Sequence, residues 1–148
     1  MAQTDDKLTP PLPTPTPTSR PFWDGLREGR VRLQQCGACG GWVFYPRVRC
    51  SHCLADALEW HEVSGLGSLY TWTVCERPTA PPFAAWGTYV LAVVELDEGV
   101  RMTTLLVDAP PESLRAGMRM RPVLPAPAES GEPASADEAP PLLRYTPA

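Results

Sequence analysis

Between residues 58 and 124, five segments with the pattern of β-strands are separated by turn-forming residues: residues 58–63, for example, alternate apolar and polar positions, whereas residues 88–96 are strongly apolar. An alternation with a period of two is typical of β-strands with one buried face, and residues 97–99 (Asp-Glu-Gly) predict a hairpin turn. The predicted strands are residues 58–63, 68–76, 88–96, 100–107 and 118–124. Because Gly65 and Gly67 predict a sharp bend after the first strand, we expect a mainly β protein with a five-stranded OB-fold barrel. An SH3-like barrel fits the same pattern.

A short helix is predicted upstream of these strands, over residues 19–29. Ser19 suits the N-cap, Pro21 suits the first turn and Gly29 suits the C-terminal end. The apolar residues at helical spacing on one face are Phe22, Trp23 and Leu26. Gly25 costs about 1 kcal/mol relative to alanine in a helix, so this helix needs something to pack against. We expect its apolar face to contact either the barrel or another protein.

Two Cys-x-x-Cys pairs lie between the helix and the barrel, with ten residues between them. The four cysteines are Cys36, Cys39, Cys50 and Cys53. Four thiolates in this arrangement form the closed tetrahedral site in which Zn²⁺ has a structural role. Gly37 and Gly40 favour such a site, because metal knuckles need small or positive-φ residues. We expect one structural zinc ion, with no open coordination position for water or substrate.

Other uses of the four cysteines remain open. Iron in a rubredoxin-like site takes the same ligands, and two disulfides are typical of exported proteins. The first residues, however, do not show the basic start and apolar stretch of an export signal, so a cytoplasmic location is expected. A thioredoxin-like redox site needs one pair at the start of a helix rather than two facing pairs. Zinc is therefore the metal that the sequence favours.

Proline-rich segments flank this body at both ends. Their composition does not bury enough apolar surface to offset the entropy of ordering, although residues 142–145 can dock as a short apolar clip on this chain or on a partner. The predicted division is a disordered tail at 1–18, a helix and lead-in strand at 19–35, a zinc ribbon at 36–56, the barrel at 57–124 and a second tail at 125–148.

Residues suited to catalysis are scarce in the predicted body. The only lysine, Lys7, lies in the N-terminal tail, which excludes a Schiff-base lysine inside the body. The two histidines are His52, between two cysteines, and His61, within a predicted strand, and neither has a neighbouring nucleophile. The fifth cysteine, Cys75, is interpreted as a small apolar strand residue. We expect no catalytic activity from the chain alone.

The loop at residues 77–87 carries aromatic residues that no predicted strand buries. Its prolines limit its conformational entropy, which suits a loop that grips a ligand or a partner. The residues proposed for this contact are Pro81, Phe83 and Trp86. The alternative is that the loop folds over the end of its own barrel.

Binding of single-stranded nucleic acid is an alternative function for an OB-fold. The candidate stacking and phosphate-binding residues are Tyr70, Trp72, Arg101, Arg119 and Arg121. The formal net charge of −4 argues against this function, because dedicated nucleic-acid binders are usually basic. No apolar run approaches the roughly 20 residues that a membrane-spanning helix requires, so no membrane contact is expected.

Residues 20–124 contain a set of motifs in a defined order and spacing. They are Phe22-Trp23-x-x-Leu26, Cys36-x-x-Cys39-Gly40, Pro46-Arg47 before Cys50-x-x-Cys53, Trp60, Ser64-Gly65-x-Gly67, Thr71-x-Thr73, the run from Val94 to Arg101, and Leu114-x-x-Gly117-Met118. This layout resembles the family of bacterial and archaeal acyl-CoA-associated proteins in which a rubredoxin-like zinc ribbon precedes an OB-fold. The order and spacing of the motifs make the resemblance specific.

The resemblance implies a non-catalytic subunit that binds a thiolase-fold, lipid-transfer-like enzyme in a hetero-oligomer. Such complexes act on acyl-CoA, and some carry out the retro-aldol step that shortens steroid side chains. The four cysteines match the zinc ligands of the family. The helix at residues 22–26 and the loop at 77–87 are candidate surfaces for the partner or for acyl-CoA. The chemistry then belongs to the partner.

Overall fold

The computed structural model describes residues 13–77, 81–84, 86–124 and 141–148. Two α-helices, one short 3-10 helix and eight strands form the described part of the chain. In chain order they are α1 (Arg20–Arg27), β1 (Val31–Cys36), β2 (Trp42–Val43), β3 (Leu58–Val63), β4 (Gly67–Cys75), α2 (Pro81–Ala84), β5 (Tyr89–Leu96), β6 (Arg101–Leu106), the 3-10 helix (Pro111–Ser113), β7 (Arg119–Val123) and β8 (Arg144–Pro147). None of the described helices is long and apolar enough to cross a membrane.

The strands form two sheets. A three-stranded antiparallel sheet has the order β2-β1-β3, and a closed five-stranded barrel has the order β4-β5-β6-β8-β7. Strand β8 pairs parallel with β6 and antiparallel with β7. The predicted fold class, mainly β with a short N-terminal helix and a five-stranded barrel, is confirmed.

The barrel uses a different set of strands from the predicted one. Strand β3 pairs along its whole length with β1, from Val31 opposite Val63 to Cys36 opposite Leu58, and so belongs to the ribbon sheet. The fifth barrel strand is β8, which lies in the segment assigned to the C-terminal tail. A period of two identifies a strand but not its pairing partner. The apolar clip expected at residues 142–145 overlaps β8, but its pattern is too short to assign it as a barrel strand.

Helix α1 ends as expected but begins differently. Gly29 follows it with a φ of +74°, which suits glycine at a helix end. The Ser19 side chain does not cap the helix. Its Oγ instead accepts a hydrogen bond from the Thr16 backbone N–H, with the two atoms 3.0 Å apart. Residue 16 also starts a turn that leads into the helix, since its carbonyl accepts from the backbone N–H of Arg20.

One hydrophobic core joins the helix, the base of the ribbon sheet and the barrel. Its buried side chains include Phe22, Trp23, Leu26, Val31, Leu33, Leu69, Val94, Met102, Leu114, Met120 and Tyr145. Trp72, which the sequence offered as a stacking platform, packs against the same core. Burial of this apolar surface is the main stabilising contribution to such a fold. The ribbon and the barrel are therefore held together by shared packing.

Replacing Gly67 by alanine is expected to destabilise the fold by about 1–3 kcal/mol, because an added Cβ would overlap packed backbone. A Cβ at this position would lie 2.4 Å from the Glu95 carbonyl oxygen, across the β4–β5 pair. Gly37→Ala is the matched control, since its Cβ would meet only the Ala57 carbonyl oxygen at 3.6 Å. Urea unfolding of the three proteins measures the difference. Equal midpoints for Gly67→Ala and the wild type would contradict the expectation.

Candidate metal centre

Two backbone turns of the same design carry the four cysteines. We call residues 36–41 the first knuckle and residues 50–55 the second knuckle. In the first knuckle the Cys36 carbonyl accepts from the Gly40 N–H, and the Cys36 N–H donates to the Gly41 carbonyl. In the second knuckle the Cys50 carbonyl accepts from the Leu54 N–H, and the Cys50 N–H donates to the Ala55 carbonyl. The knuckles are therefore equivalent position by position.

The two knuckles bring four sulfurs into one cluster. All four Sγ atoms lie within 4.8 Å of one another. The Cys36–Cys53 and Cys39–Cys50 sulfurs are each 3.7 Å apart. Tetrahedral zinc with Zn–S bonds near 2.3 Å requires sulfurs about 3.8 Å apart, whereas a disulfide requires about 2.05 Å. The cysteines are free thiols, and their arrangement fits one structural zinc ion.

The electrostatics of the cluster favour a bound cation. Burial raises the pKa of the Cys50 thiol, but the backbone N–H groups of Cys53 and His52 outweigh this and lower the pKa to about 6. The Gly41 N–H lowers the pKa of Cys39, yet the neighbouring thiols, Cys53 first, raise it to about 12. Four thiolates this close repel one another, so a divalent cation is required to hold them all deprotonated.

His52 connects the two knuckles without being a ligand. Its Nε2 lies 3.0 Å from the carbonyl oxygen of Trp42, the residue that directly follows the first knuckle. Gly41 makes this approach possible, since a Cβ there would lie 2.7 Å from the His52 Cδ2. The sequence favours Gly37 and Gly40 as the small residues of the knuckles instead. Gly40 has the expected positive φ of +72°, but Gly37 has room for a Cβ, so the expectation was wrong there.

The apolar face of α1 is not available to a partner. Phe22, Trp23 and Leu26 are at most 7 % exposed. The Phe22 ring packs on the Phe44 ring, with centroids 5.6 Å apart. The prediction of a docking surface on this helix is therefore corrected. Helical spacing identifies an apolar face but not what covers it, and here the protein's own core covers it.

The predicted aromatic contact at residues 77–87 lies partly within the described chain. The rings of Phe83 and Trp86 meet edge to face at 5.1 Å, and Trp86 meets Tyr89 in the same way at 5.6 Å. Trp86 is 37 % exposed. The Pro81 side chain lies outside the described residues, and a partner or acyl-CoA contact at this loop stays a prediction. Cys75 is half-buried, and its hydrogen bond raises the pKa of the Tyr89 hydroxyl.

Two of the arginines proposed for nucleic-acid binding, Arg101 and Arg119, are paired with carboxylates. The Arg101 guanidinium lies 3.7 Å from the centroid of the Tyr70 ring and donates to Glu95 at 2.8 Å. Arg119 donates two hydrogen bonds to Asp97, at 2.7 and 2.9 Å, and this contact lowers the pKa of the Asp97 carboxyl. Arginines that are already paired with carboxylates are less available to bind phosphates.

Comparisons with known proteins agree with this architecture. The family model described as the ChsH2 rubredoxin-like zinc ribbon domain matches residues 23–59, and the ChsH2 C-terminal OB-fold domain matches residues 60–124. A DUF35 domain-containing scaffold protein of Methanocaldococcus jannaschii is 36 % identical, over 74 % of this chain and 79 % of its own length. A probable enoyl-CoA hydratase alpha subunit of Thermomonospora curvata is 35 % identical over 66 % of this chain, which spans only 30 % of that relative.

A solved structure extends the similarity to three dimensions. It is described as an Ltp2-ChsH2(DUF35) aldolase, and one of its chains matches with a TM-score of 0.72 and 27 % sequence identity. The match covers 91 % of this chain and 98 % of the other. The zinc ribbon, the barrel and their arrangement are thus shared along almost the whole of both chains.

Proposed function

Because the chain belongs to the DUF35 family, with the zinc ribbon and OB-fold domains of ChsH2, we propose that it is a non-catalytic subunit of an acyl-CoA-processing complex. Its partner is a thiolase-fold, lipid-transfer-like enzyme, which it binds and stabilises in a hetero-oligomer. The reaction class proposed for the complex is the retro-aldol cleavage of an acyl-CoA side chain, as in steroid degradation.

The observation that carries this proposal is the match to a chain of the Ltp2-ChsH2(DUF35) aldolase. That description names two proteins in one aldolase, and the match covers nearly the full length of the chain it aligns with. The similarity to a hydratase alpha subunit places a second relative in acyl-CoA chemistry. These relatives support a role within a complex that acts on acyl-CoA.

The geometry of the metal centre supports a structural rather than a catalytic role. The four clustered sulfurs would fill all four tetrahedral positions around a zinc ion. A catalytic zinc ion needs an open position for water or substrate. The shared core then fixes the ribbon to the barrel, which suits a subunit that presents a rigid surface to an enzyme.

A finer part of the proposal concerns the acyl-CoA itself. The exposed Trp86 contacts Phe83 and Tyr89 edge to face, and these rings lie at the start of β5 and within the loop that the sequence predicts as a contact site. We propose that this aromatic cluster helps the partner enclose the acyl-CoA. Aromatic side chains contribute large apolar area at low entropic cost in such contacts.

Co-expression with a thiolase-fold, lipid-transfer-like enzyme tests the proposed function. Size-exclusion chromatography with light scattering is expected to show one hetero-oligomer, and retro-aldol turnover of acyl-CoA is expected only in fractions that contain the partner. The partner expressed alone is the control for its stability and activity. Separate elution of the two proteins at micromolar concentrations, or turnover of acyl-CoA by this chain alone, would overturn the proposal.

A further inference from the structure

The residue that follows the second cysteine distinguishes the two knuckles. The residue after the second cysteine of each pair adopts a left-handed backbone conformation, with a φ of +72° at Gly40 and +63° at Leu54. Glycine adopts this conformation without steric cost, whereas an L-residue with a Cβ is strained by roughly 1–2 kcal/mol. The first knuckle therefore uses the residue that the turn favours, and the second knuckle uses one that it disfavours.

Leu54 is also unfavourable in its surroundings. Its side chain is 71 % exposed, so it gains little from burial in this chain. Glycine at the same position would remove both the backbone strain and the exposed apolar area. A strained residue that brings no benefit to its own fold is a reason to look for a function outside it.

The neighbours of Leu54 form a surface of one chemical character. Val48 is equally exposed, at 71 %, and Arg47 and Arg49 on either side of it are exposed as well. The Arg49 guanidinium is oriented by the Leu54 carbonyl oxygen, which lies 3.4 Å from its Nη1. We call these four residues the knuckle knob.

Neither Arg47 nor Arg49 forms an ion pair with a carboxylate of the described residues. One groove beside the knob is lined, besides knob residues, by Thr16, Thr18, Pro46, Cys50 and Ser51, without a carboxylate, whereas a second groove that Arg47 and Val48 line also includes Asp56 and Glu59. Arginines elsewhere in the ribbon have acidic partners, such as Arg30 with Glu62 and Arg32 with Glu28. The knob therefore combines two apolar side chains with positive charge that its own fold leaves available.

We propose that the knuckle knob is a docking surface for the enzyme partner, which presents an apolar pocket with carboxylates at its rim. The inference rests on the proposed function and assigns the surface that the partner contacts. Leu54 and Val48 would enter the pocket, while Arg47 and Arg49 would pair with the rim. Buried aliphatic anchors surrounded by arginine–carboxylate pairs provide affinity and orientation at protein interfaces.

Leu54→Gly separates docking from folding, because glycine relieves the strain of the turn. The purified variant is expected to keep one zinc ion and to melt no lower than the wild type. Its affinity for the partner, measured by calorimetry or surface plasmon resonance, is expected to fall by about tenfold to a hundredfold, as the loss of a buried leucine predicts. Replacing both knob arginines by glutamate, Arg47→Glu and Arg49→Glu, reverses their charge and is expected to weaken partner binding. The loss of affinity is expected to be larger at low salt than at high salt.

Leu66→Ser is the matched control. Leu66 is also an exposed leucine, at 36 %. The first residue of β3, Leu58, pairs with Cys36 beside the metal cluster, whereas Leu66 follows the last residue of β3 and therefore lies at the opposite end of the ribbon sheet. Its removal is expected to leave the affinity for the partner unchanged.

Each outcome of these measurements bears on the inference. Unchanged affinity of Leu54→Gly for the partner would overturn the docking surface and leave the proposed function intact. Loss of zinc or a lower melting temperature in Leu54→Gly would assign Leu54 a role in folding, against the inference. Knob-dependent binding of a single-stranded oligonucleotide, without any effect on partner affinity, would also overturn it. A wild-type chain that binds no thiolase-fold partner would overturn both proposals.

Discussion

Replacing Cys39 by serine is expected to abolish stoichiometric zinc binding and to cause a large loss of stability in the ribbon. The apolar cluster around the metal site is small: Cys36, Val43 and Cys50 are its buried members. Bound zinc contributes on the order of 10 kcal/mol to folds of this kind, so packing does not replace it. Cys39 is exposed, which means that its substitution removes a ligand without leaving a cavity in the core.

Three measurements check this expectation. Elemental analysis of the purified protein is expected to show one zinc per wild-type chain and much less in Cys39→Ser. Thermal unfolding is expected to shift to lower temperature, and co-purification of the enzyme partner is expected to weaken, because the knuckle knob belongs to the ribbon. Iron in place of zinc in the wild-type protein would be detected in the same analysis.

Cys75→Ser controls for the general effect of losing a thiol. Cys75 lies in β4 and is not part of the four-sulfur cluster. Its substitution is expected to leave the zinc content at one per chain. A Cys39→Ser protein with full zinc content and a wild-type melting curve would show that the four-sulfur site does not stabilise the ribbon.

Local geometry explains which parts of this protein the sequence predicts. The spacing of Cys36 and Cys39 defines a tight turn by itself, and so does that of Cys50 and Cys53. Two such turns at a short separation have few ways to come together other than around one ion. The alternation of methionine and arginine at residues 118–121 likewise depends only on neighbouring positions.

Contacts between distant segments explain where the sequence was insufficient. The pairing of β3 with β1 and the insertion of β8 between β6 and β7 depend on segments far apart in the chain. The burial of Trp23 depends on the same long-range packing. The left-handed conformation of Leu54 was missed for a different reason, because it becomes informative only when the backbone conformations of the two knuckles are compared. The signal available in the sequence was the change from glycine after Cys39 to leucine after Cys53.

Strand β8 is the element whose removal is expected to damage the barrel most. Tyr145 on this strand is fully buried, and its hydroxyl donates to the Gly65 carbonyl oxygen at 2.9 Å. Burial, and secondarily the nearby Glu98 carboxylate, raises the pKa of the Tyr145 hydroxyl, which therefore stays neutral and donates at ordinary pH. The ring thus fills the barrel and ties its last strand to the bend between β3 and β4.

Tyr145→Ala is expected to cost about 3–5 kcal/mol, the usual range when a large buried aromatic residue is reduced to alanine. Tyr145→Phe keeps the ring and loses only the hydrogen bond to Gly65, so it is expected to cost about 1–3 kcal/mol. Domains of this size are stable by roughly 5–15 kcal/mol, so the alanine variant is expected to be partly unfolded at moderate temperature. Urea unfolding followed by tryptophan fluorescence measures both variants.

Arg144→Ala is the control on the same strand, because Arg144 is exposed and its substitution is expected to change stability little. A chain that ends at residue 124, where the family match ends, lacks β8 and leaves β6 and β7 without the strand that joins them. It is therefore expected to lose the cooperative unfolding transition of the full chain. If that shorter chain, or Tyr145→Ala, unfolded at the same urea concentration as the full-length wild type, β8 would not be the strand that closes this barrel.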